Sequence, residues 1–383
     1  MFKEMSMANT ILTPSIIANE ALLILENNLT AANTVFRDYE SEFTGSRVGD
    51  TITIRKPAAF TVNEFTSSIT KQDITETSVS MQLEKHFDVS TEVTSRQMTL
   101  DLDGFSERVI EPAMVALAEQ IDGYIYDQYD EVHNTVGTAG TPPASLANLA
   151  AIDQILNEQK VPMSGRVGFM NPAAKAAMMG IEAVVTAEKR GDGGTALREA
   201  SMGRVMGLDF YGVQGVKSHT AGSQGGQSGL LVNGTVAAGA TTMNADAAHA
   251  SAATLKKGDV FTVAGVSGSF VVTADKTASG SAFSGIAFSP AAPTGGFADN
   301  AAITVKDDHV ANIAGHPRGL ALAVVPLALP MDASGRAAIV SNRGLSIRVV
   351  QDYDISSKSD VISFDVLCGA KVIQPELLTR VLG

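Results

Sequence analysis

The sequence predicts an α+β fold with a small all-β unit set into it, and three observations predict it. Period-two alternation of apolar and polar residues occurs near both ends of the chain, at residues 51–55 and 79–83 and again at 345–349 and 361–367. Between them, residues 104–134 carry a helical stripe of Ile110, Met114, Leu117, Ile121, Ile125 and Val132 at three- and four-residue steps. The third observation is compositional: residues 223–305 contain no Arg and no Glu and are dense in Gly, Ala, Ser and Thr, as short strands joined by tight turns are.

Length and charge bound the function. The chain has 383 residues, 45% hydrophobic and 18% charged, which suits two or three packed domains rather than a disordered chain. Acidic side chains outnumber basic ones by 41 to 28, for a net charge of −13, and no run of Lys and Arg offers phosphates a basic stripe. Tight nucleic-acid binding is therefore not expected. A lone cysteine, Cys368, excludes an intrachain disulfide framework and a thiolate zinc cluster, and fits a reducing compartment. Residues 1–28 contain Glu4, Glu20 and Glu26 and lack a basic segment followed by an apolar core, so no export signal is expected. The longest apolar stretch, 319–331, is broken by Pro326 and Pro330 and falls short of the roughly 18 residues a spanning helix needs. A soluble protein without a membrane segment is expected.

The elements follow in order. Residues 10–40 read as a polar helical arm whose loose apolar face is Ile16, Ile17, Leu22, Leu23 and Leu29, too sparse for a core of its own. The alternating runs at 51–55 and 79–83 predict two strands of one hairpin, extended by 87–89. The polar, threonine-rich residues 57–77 form its projecting tip. Such a tip is a liability alone and an attachment device beside a neighbour. The helix over 104–134, with Pro112 in its first turn and Tyr124 and Tyr129 as packing anchors, would run from Pro112 to Val132 over about 31 Å. A Gly/Pro/Thr linker at 137–143 precedes a helix capped by Ser145 and running to Lys160. Residues 166–170 read as a buried strand, Asn171-Pro172 starts another helix, and Gly191 to Gly194 reads as a mobile loop. Within 223–305, strands are predicted at 229–233, 259–264, 270–274 and 301–305, as a barrel or sandwich. The flanking strands 208–213 and 319–326 are expected to belong together. At the end, Leu345, Ile347 and Val349 share a face, as do Ile362, Phe364 and Val366, and the chain returns to a domain begun before residue 137.

No catalytic constellation stands out. Lys217-Ser218 and Lys276-Thr277 lack the glycines of a phosphate loop, and neither a Gly-x-Ser-x-Gly elbow nor a His-Glu-x-x-His helix occurs. Thr99 to Gly104 resembles a calcium loop, but a threonine and Ile110 stand where its first and last ligands belong. Asp307, Asp308, His309 and His316 make the one polar cluster that could hold a metal, and a solvated loop explains it better. Cys368 reads as a small core side chain. No cofactor, metal or catalytic residue is expected.

Four segments carry a resemblance in combination. Gly49-Asp50-Thr51-Ile52-Thr53-Ile54, Leu117-Ala118-Glu119-Gln120-Ile121-Asp122, Gly258 to Val266 and Asp365 to Lys371 with Pro375-Glu376 occur in this order over nearly the whole chain. They resemble the major capsid (coat) proteins of tailed bacteriophages, the HK-97 fold, and among them the short-tailed phage coat proteins with an inserted β-domain. The resemblance implies an N-terminal arm at 1–40, an extended loop and the start of a peripheral domain at 41–103, and a spine helix at 104–137. It also implies an axial domain at 138–222 and 306–340, an inserted β-barrel-like domain at 223–305, and peripheral strands at 341–383. It implies pentamers and hexamers of an icosahedral shell in a virion, assembled in the bacterial host cytoplasm with a separate scaffolding protein and a portal protein. The shell would enclose double-stranded DNA without binding it tightly. Some members of the family join subunits through a Lys and an Asn. Lys56, Lys71 and Asn63 lie near the loop, yet no crosslinking motif matches, so none is expected. Intersubunit contacts are expected at Arg55, Lys56, Phe60, Phe65 and Lys71. The alternatives are an encapsulin-type nanocompartment, a metal-dependent enzyme using Asp307, His309 and His316, and a surface adhesin binding through 223–305.

Overall fold

The structure, a computed structural model, describes residues 14–37, 51–56, 62, 64–65, 69, 71–74, 78–94, 106–186, 199–330, 336–356 and 359–383. Two compact units divide the chain. One comprises residues 1–29, 37–121 and 322–370, the other 30–36, 122–321 and 371–383. The loop at Gly191 to Gly194 and the calcium-like stretch Thr99 to Gly104 lie outside the described residues.

In the first unit the arm is a helix, Pro14–Asn28. Its buried stripe is Ile17, Ala18, Ala21, Leu22 and Leu25, while Ile16 and Leu23 face solvent. Of the expected face, Ile17, Leu22 and Leu29 are buried and Ile16 and Leu23 are not; Ala18 and Ala21 complete the stripe, because close approach to a sheet favours small side chains. That sheet is its own chain's: strands Ala337–Asn342 and Leu345–Asp354 lie against the arm helix. Glu26 accepts from Asn342 Nδ2 and Arg343 Nη1, each at 3.1 Å. These residues sit at a two-residue hairpin turn where Arg343 and Gly344 both have positive φ, as a tight right-twisted hairpin requires. The sheet runs Leu320–Val325, Ser359–Val372, Leu345–Asp354, Ala337–Asn342, with Lys85–Thr94 also paired to Ser359–Val372. Leu345, Ile347 and Val349 bury one face, and Ile362, Phe364, Val366 and Cys368 are buried with them, as the alternation predicted. Arg348 donates twice to Asp365 across the adjacent strands, which is why an aspartate can sit half inside a sheet. Thr51–Arg55 pairs with Ser78–Gln82 in a separate two-stranded sheet, and Lys85–Thr94 leaves that hairpin for the larger sheet.

The helical stripe over 104–134 is real but not one α-helix. Residues 106–110 form a π-helical turn, Glu111–Tyr126 the α-helix, with Pro112 in its first turn as expected, and Asp127–Glu131 a 3₁₀ turn, after which Val132 is extended. Ile110, Met114, Leu117, Ile121 and Ile125 are buried as predicted.

In the second unit a mixed sheet runs Thr135–Val136, Leu378–Leu382, His309–Gly315, Arg166–Met170, Leu208–Gly212, Arg204–Val205, with Ser218–His219 also on His309–Gly315. The last strand, grouped by the sequence with those after 341, belongs to this sheet. The two flanks of 223–305 also part company: Leu208–Gly212 lies here and Leu320–Val325 in the five-stranded sheet. Leu149, Ile152 and Leu156 of helix Leu146–Glu158 pack with Ala174 and Met178 of helix Pro172–Met179 against Phe210, Ala314 and Val381. Both helices start as predicted, with the side chains of Ser145 and Asn171 accepting from Asn148 N and Ala174 N. The first helix stops at Glu158, and Lys160 has φ +57°. Strand Arg166–Met170 is buried throughout, including Arg166, which donates to Asp153, Asn157 and the carbonyls of Val161 and Pro162.

Residues 230–305 build a six-stranded antiparallel sheet in the order Ile303–Val305, Val260–Val263, Phe270–Val272, Phe283–Ser289, Thr242–Asp246, Leu231–Val232. It closes on itself: Ile303 N donates to Leu230 O at 2.8 Å and Val232 N to Ala301 O at 3.0 Å. Closure leaves no free edge and makes a barrel. Inside, Phe261, Phe270, Phe288 and Phe297 meet with ring centroids 5.1–6.0 Å apart. Its hydrophobic cluster draws all of its buried members from 230–305. The strands at Thr242–Asp246 and Phe283–Ser289 are not among those the sequence predicts, because small and polar residues blur the alternation there.

Candidate interface

The expected contact residues fall on the hairpin and its tip. Thr51–Arg55 shows the alternation of a one-sided strand, with Ile52, Ile54 and the opposed Met81 buried and Thr51, Thr53 and Arg55 exposed. Lys56 is half-buried and Lys71 exposed; Phe60 lies outside the described residues, as does Asn63. Phe65 is 68% exposed, and it is not alone: Val62, Ile69 and Ile74 are 96%, 72% and 71% exposed. Scattered surface apolar residues need no explanation, but four large ones within thirteen positions of one loop do. Of these four, only Phe65 is among the contacts expected from the sequence; the signal of Val62, Ile69 and Ile74 is their isolation in a polar run with no alternating partners.

The arm's exit is fixed by one carboxylate. Asp122 Oδ2 accepts from Thr30 N at 2.8 Å and Ala31 N at 3.1 Å, and Oδ1 from Ala32 N at 3.0 Å, so it caps the short helix Ala31–Thr34 from a distance of 92 residues along the chain. Burial pushes this carboxyl up from its ordinary range while the backbone donors pull it back.

The proposed metal trio does not assemble. His309 and His316 stand at opposite ends of the strand His309–Gly315, about 23 Å apart at ~3.3 Å per residue. His316 Nδ1 accepts from Arg318 N, capping a short turn, and Asp307 accepts from Asp308 N. Among the described residues no group of three or more His, Cys, Asp or Glu could hold a metal. His309 belongs instead to a buried polar cluster with Tyr129, His219, Asp259 and Arg380. Tyr129, expected as a packing anchor, has the Arg380 guanidinium 4.9 Å above its ring and its hydroxyl 3.1 Å from His219 Nδ1. Cys368 is buried and its thiol is pushed up to about 12 by burial, which suits a core side chain and not a nucleophile. No helix among the described residues is long and apolar enough to cross a membrane.

Among solved structures, one from Mycobacterium phage Che8 aligns over 92% of this chain and 90% of its own, at 16% identity and a TM-score of 0.52. The chain shares that phage fold. Capsid structures of the Cyanophage P-SCSP1u and of bacteriophage PhiM1 align over 88% and 87% of the chain and 84% and 82% of their own, at 10% and 12% identity with TM-scores of 0.48 and 0.47. No family model and no curated protein matches the sequence. At the level of fold, the phage resemblance read from the four sequence segments and the Che8 likeness agree.

Proposed function

We propose that the chain is the major capsid subunit of a tailed bacteriophage, building pentamers and hexamers of an icosahedral shell around double-stranded DNA. The observation that carries this reading is the shared phage fold over nine-tenths of both chains. Two further features support it. Large apolar side chains exposed on a loop are completed by a neighbour in a lattice and are a cost in a monomer. A net charge of −13 leaves enclosed DNA loosely held, so that it can be packed and released. In this reading residues 223–305 are an inserted β-domain, 138–222 and 306–319 an axial domain, and the five-stranded sheet, with the strands at 320–325 and 337–342 that were expected in part with the axial domain, belongs to a peripheral one. A separate scaffolding protein and a portal are its partners, the virion is its location, and assembly takes place in the bacterial cytoplasm. No catalytic step is assigned to it.

The test is negative-stain electron microscopy of the protein produced with the genes that neighbour it, followed by nuclease treatment of the particles. Uniform closed shells with nuclease-protected double-stranded DNA are expected. Shells loaded with protein and free of DNA would favour a nanocompartment, and monomers in the presence of a scaffold would overturn the shell reading.

A further inference from the structure

The barrel is tied to the mixed sheet by a buried polar knot. Its turn Lys256 to Asp259 carries Gly258 at φ +91°, and Gly258 O accepts from Arg380 Nη1 at 2.8 Å. A β-carbon on Gly258 would stand 3.1 Å from Asp130 Cβ and 3.2 Å from His219, so the turn is seated closely. Asp259 is fully buried. It accepts from His219 Nε2 at 2.7 Å, from Lys256 N at 2.8 Å and from Gly222 N at 3.1 Å. Arg380, also fully buried, donates from Nη2 to Tyr129 O.

His309 closes the knot. Its Nδ1 lies 2.7 Å from Asp307 O, a carbonyl that can only accept, so Nδ1 carries the proton. Its Nε2 lies 3.4 Å from Arg380 Nη1. A permanent cation there demands a lone pair on Nε2, so the ring is neutral. A second proton would set two cations against each other in a buried site.

We propose that this knot is an acid-released latch: protonation of His309 drives Arg380 off the Gly258 carbonyl and frees the barrel's Lys256 to Asp259 turn. The other groups facing it are known. His219 and Tyr129 flank it, Asp259 lies behind His219, and Asp130 and Lys257 form an ion pair with Nζ and Oδ2 2.6 Å apart. Asp259 and Asp130 are the groups that oppose protonated His309's repulsion, and Asp259 is engaged by three donors. Burial, with Arg380 and His219 adding to it, depresses His309 to about 4. A histidine so depressed contributes stability in full above its unfolded value of about 6.5, and that stability is lost as pH falls from there toward about 4. Burial depresses His133 likewise, to about 4, but its link to the barrel is a carbonyl that accepts from Ser269 Oγ and not a hydrogen bond of its ring.

The test is hydrogen exchange by mass spectrometry on the unassembled full-length chain between about pH 7 and pH 5, with rates corrected for intrinsic exchange. Opening of the peptides covering 256–260 is expected to rise roughly tenfold per pH unit below about 6.5, with strand Arg166–Met170 unmoved. His309→Gln, which can keep both hydrogen bonds without a charge, should lower that slope by about a factor of ten per unit, and His133→Gln should not. An unchanged slope in H309Q, or a flat profile in the wild type, overturns the latch. Should H309Q fail to fold, nitrogen NMR of histidine-labelled wild type decides: a neutral Nδ1–H ring persisting at about pH 5 supports it, and titration at the ordinary value of about 6.5 overturns it.

Discussion

The barrel and the hairpin loop solve the same problem in opposite ways. Both are antiparallel and rich in small and polar residues. The barrel joins Leu230 and Val232 to Ile303 and Ala301, closes its edges, and turns Phe261, Phe270, Phe288 and Phe297 inward. The hairpin has two strands, and its tip leaves Val62, Phe65, Ile69 and Ile74 facing outward. One region is finished by its own chain. The other leaves large apolar side chains uncovered by its own chain, as the proposed lattice contact requires.

Substitutions in the two regions should therefore part company. Phe270→Ala removes a ring that touches three others in the barrel core and should cost about 3–5 kcal/mol, read by urea unfolding of the unassembled chain. Asp122→Ala leaves three backbone N–H groups at 30–32 without their acceptor and should cost about 2–3 kcal/mol, with fast amide exchange confined to the arm's exit. Ser145→Ala removes one cap and should cost about 1 kcal/mol. Phe65→Ala should move subunit stability by less than about 0.5 kcal/mol yet lower the yield of closed shells in the same co-production experiment. If Phe65→Ala destabilises the lone subunit as Phe270→Ala does, the contrast fails. Finally, Cys368 should resist alkylation at about pH 8 until denaturant is added, because its buried thiol stays protonated until about pH 12.

How much of this the sequence held depends on the kind of pattern. Leu345, Ile347 and Val349 were legible because a one-sided strand alternates, and Ser145 and Asn171 because caps are local chemistry. The arm's face was legible only in part: Ile17, Leu22 and Leu29 are buried as read, but Ala18 and Ala21 carry no strong apolar signal although a sheet approaches them. The polar knot was least legible of all. Tyr129, His219, Asp259, His309 and Arg380 come from five separate stretches, and only the folded registers bring them together. The metal trio failed for the converse reason: His309 and His316 are near in sequence, and an extended strand carries them apart.

The barrel's closure has a consequence for how such a chain can change over generations. Where the chain goes into the barrel, Leu230 accepts from Ile303 where it comes out, and Gly226 N donates to Val305 O at 3.1 Å. To the rest of the molecule, some seventy residues therefore occupy the footprint of a tight loop. A gene could gain, lose or exchange the whole segment at a single point between those two ends, but only together with a change at Arg380 and His219, whose buried partners Gly258 O and Asp259 the segment supplies.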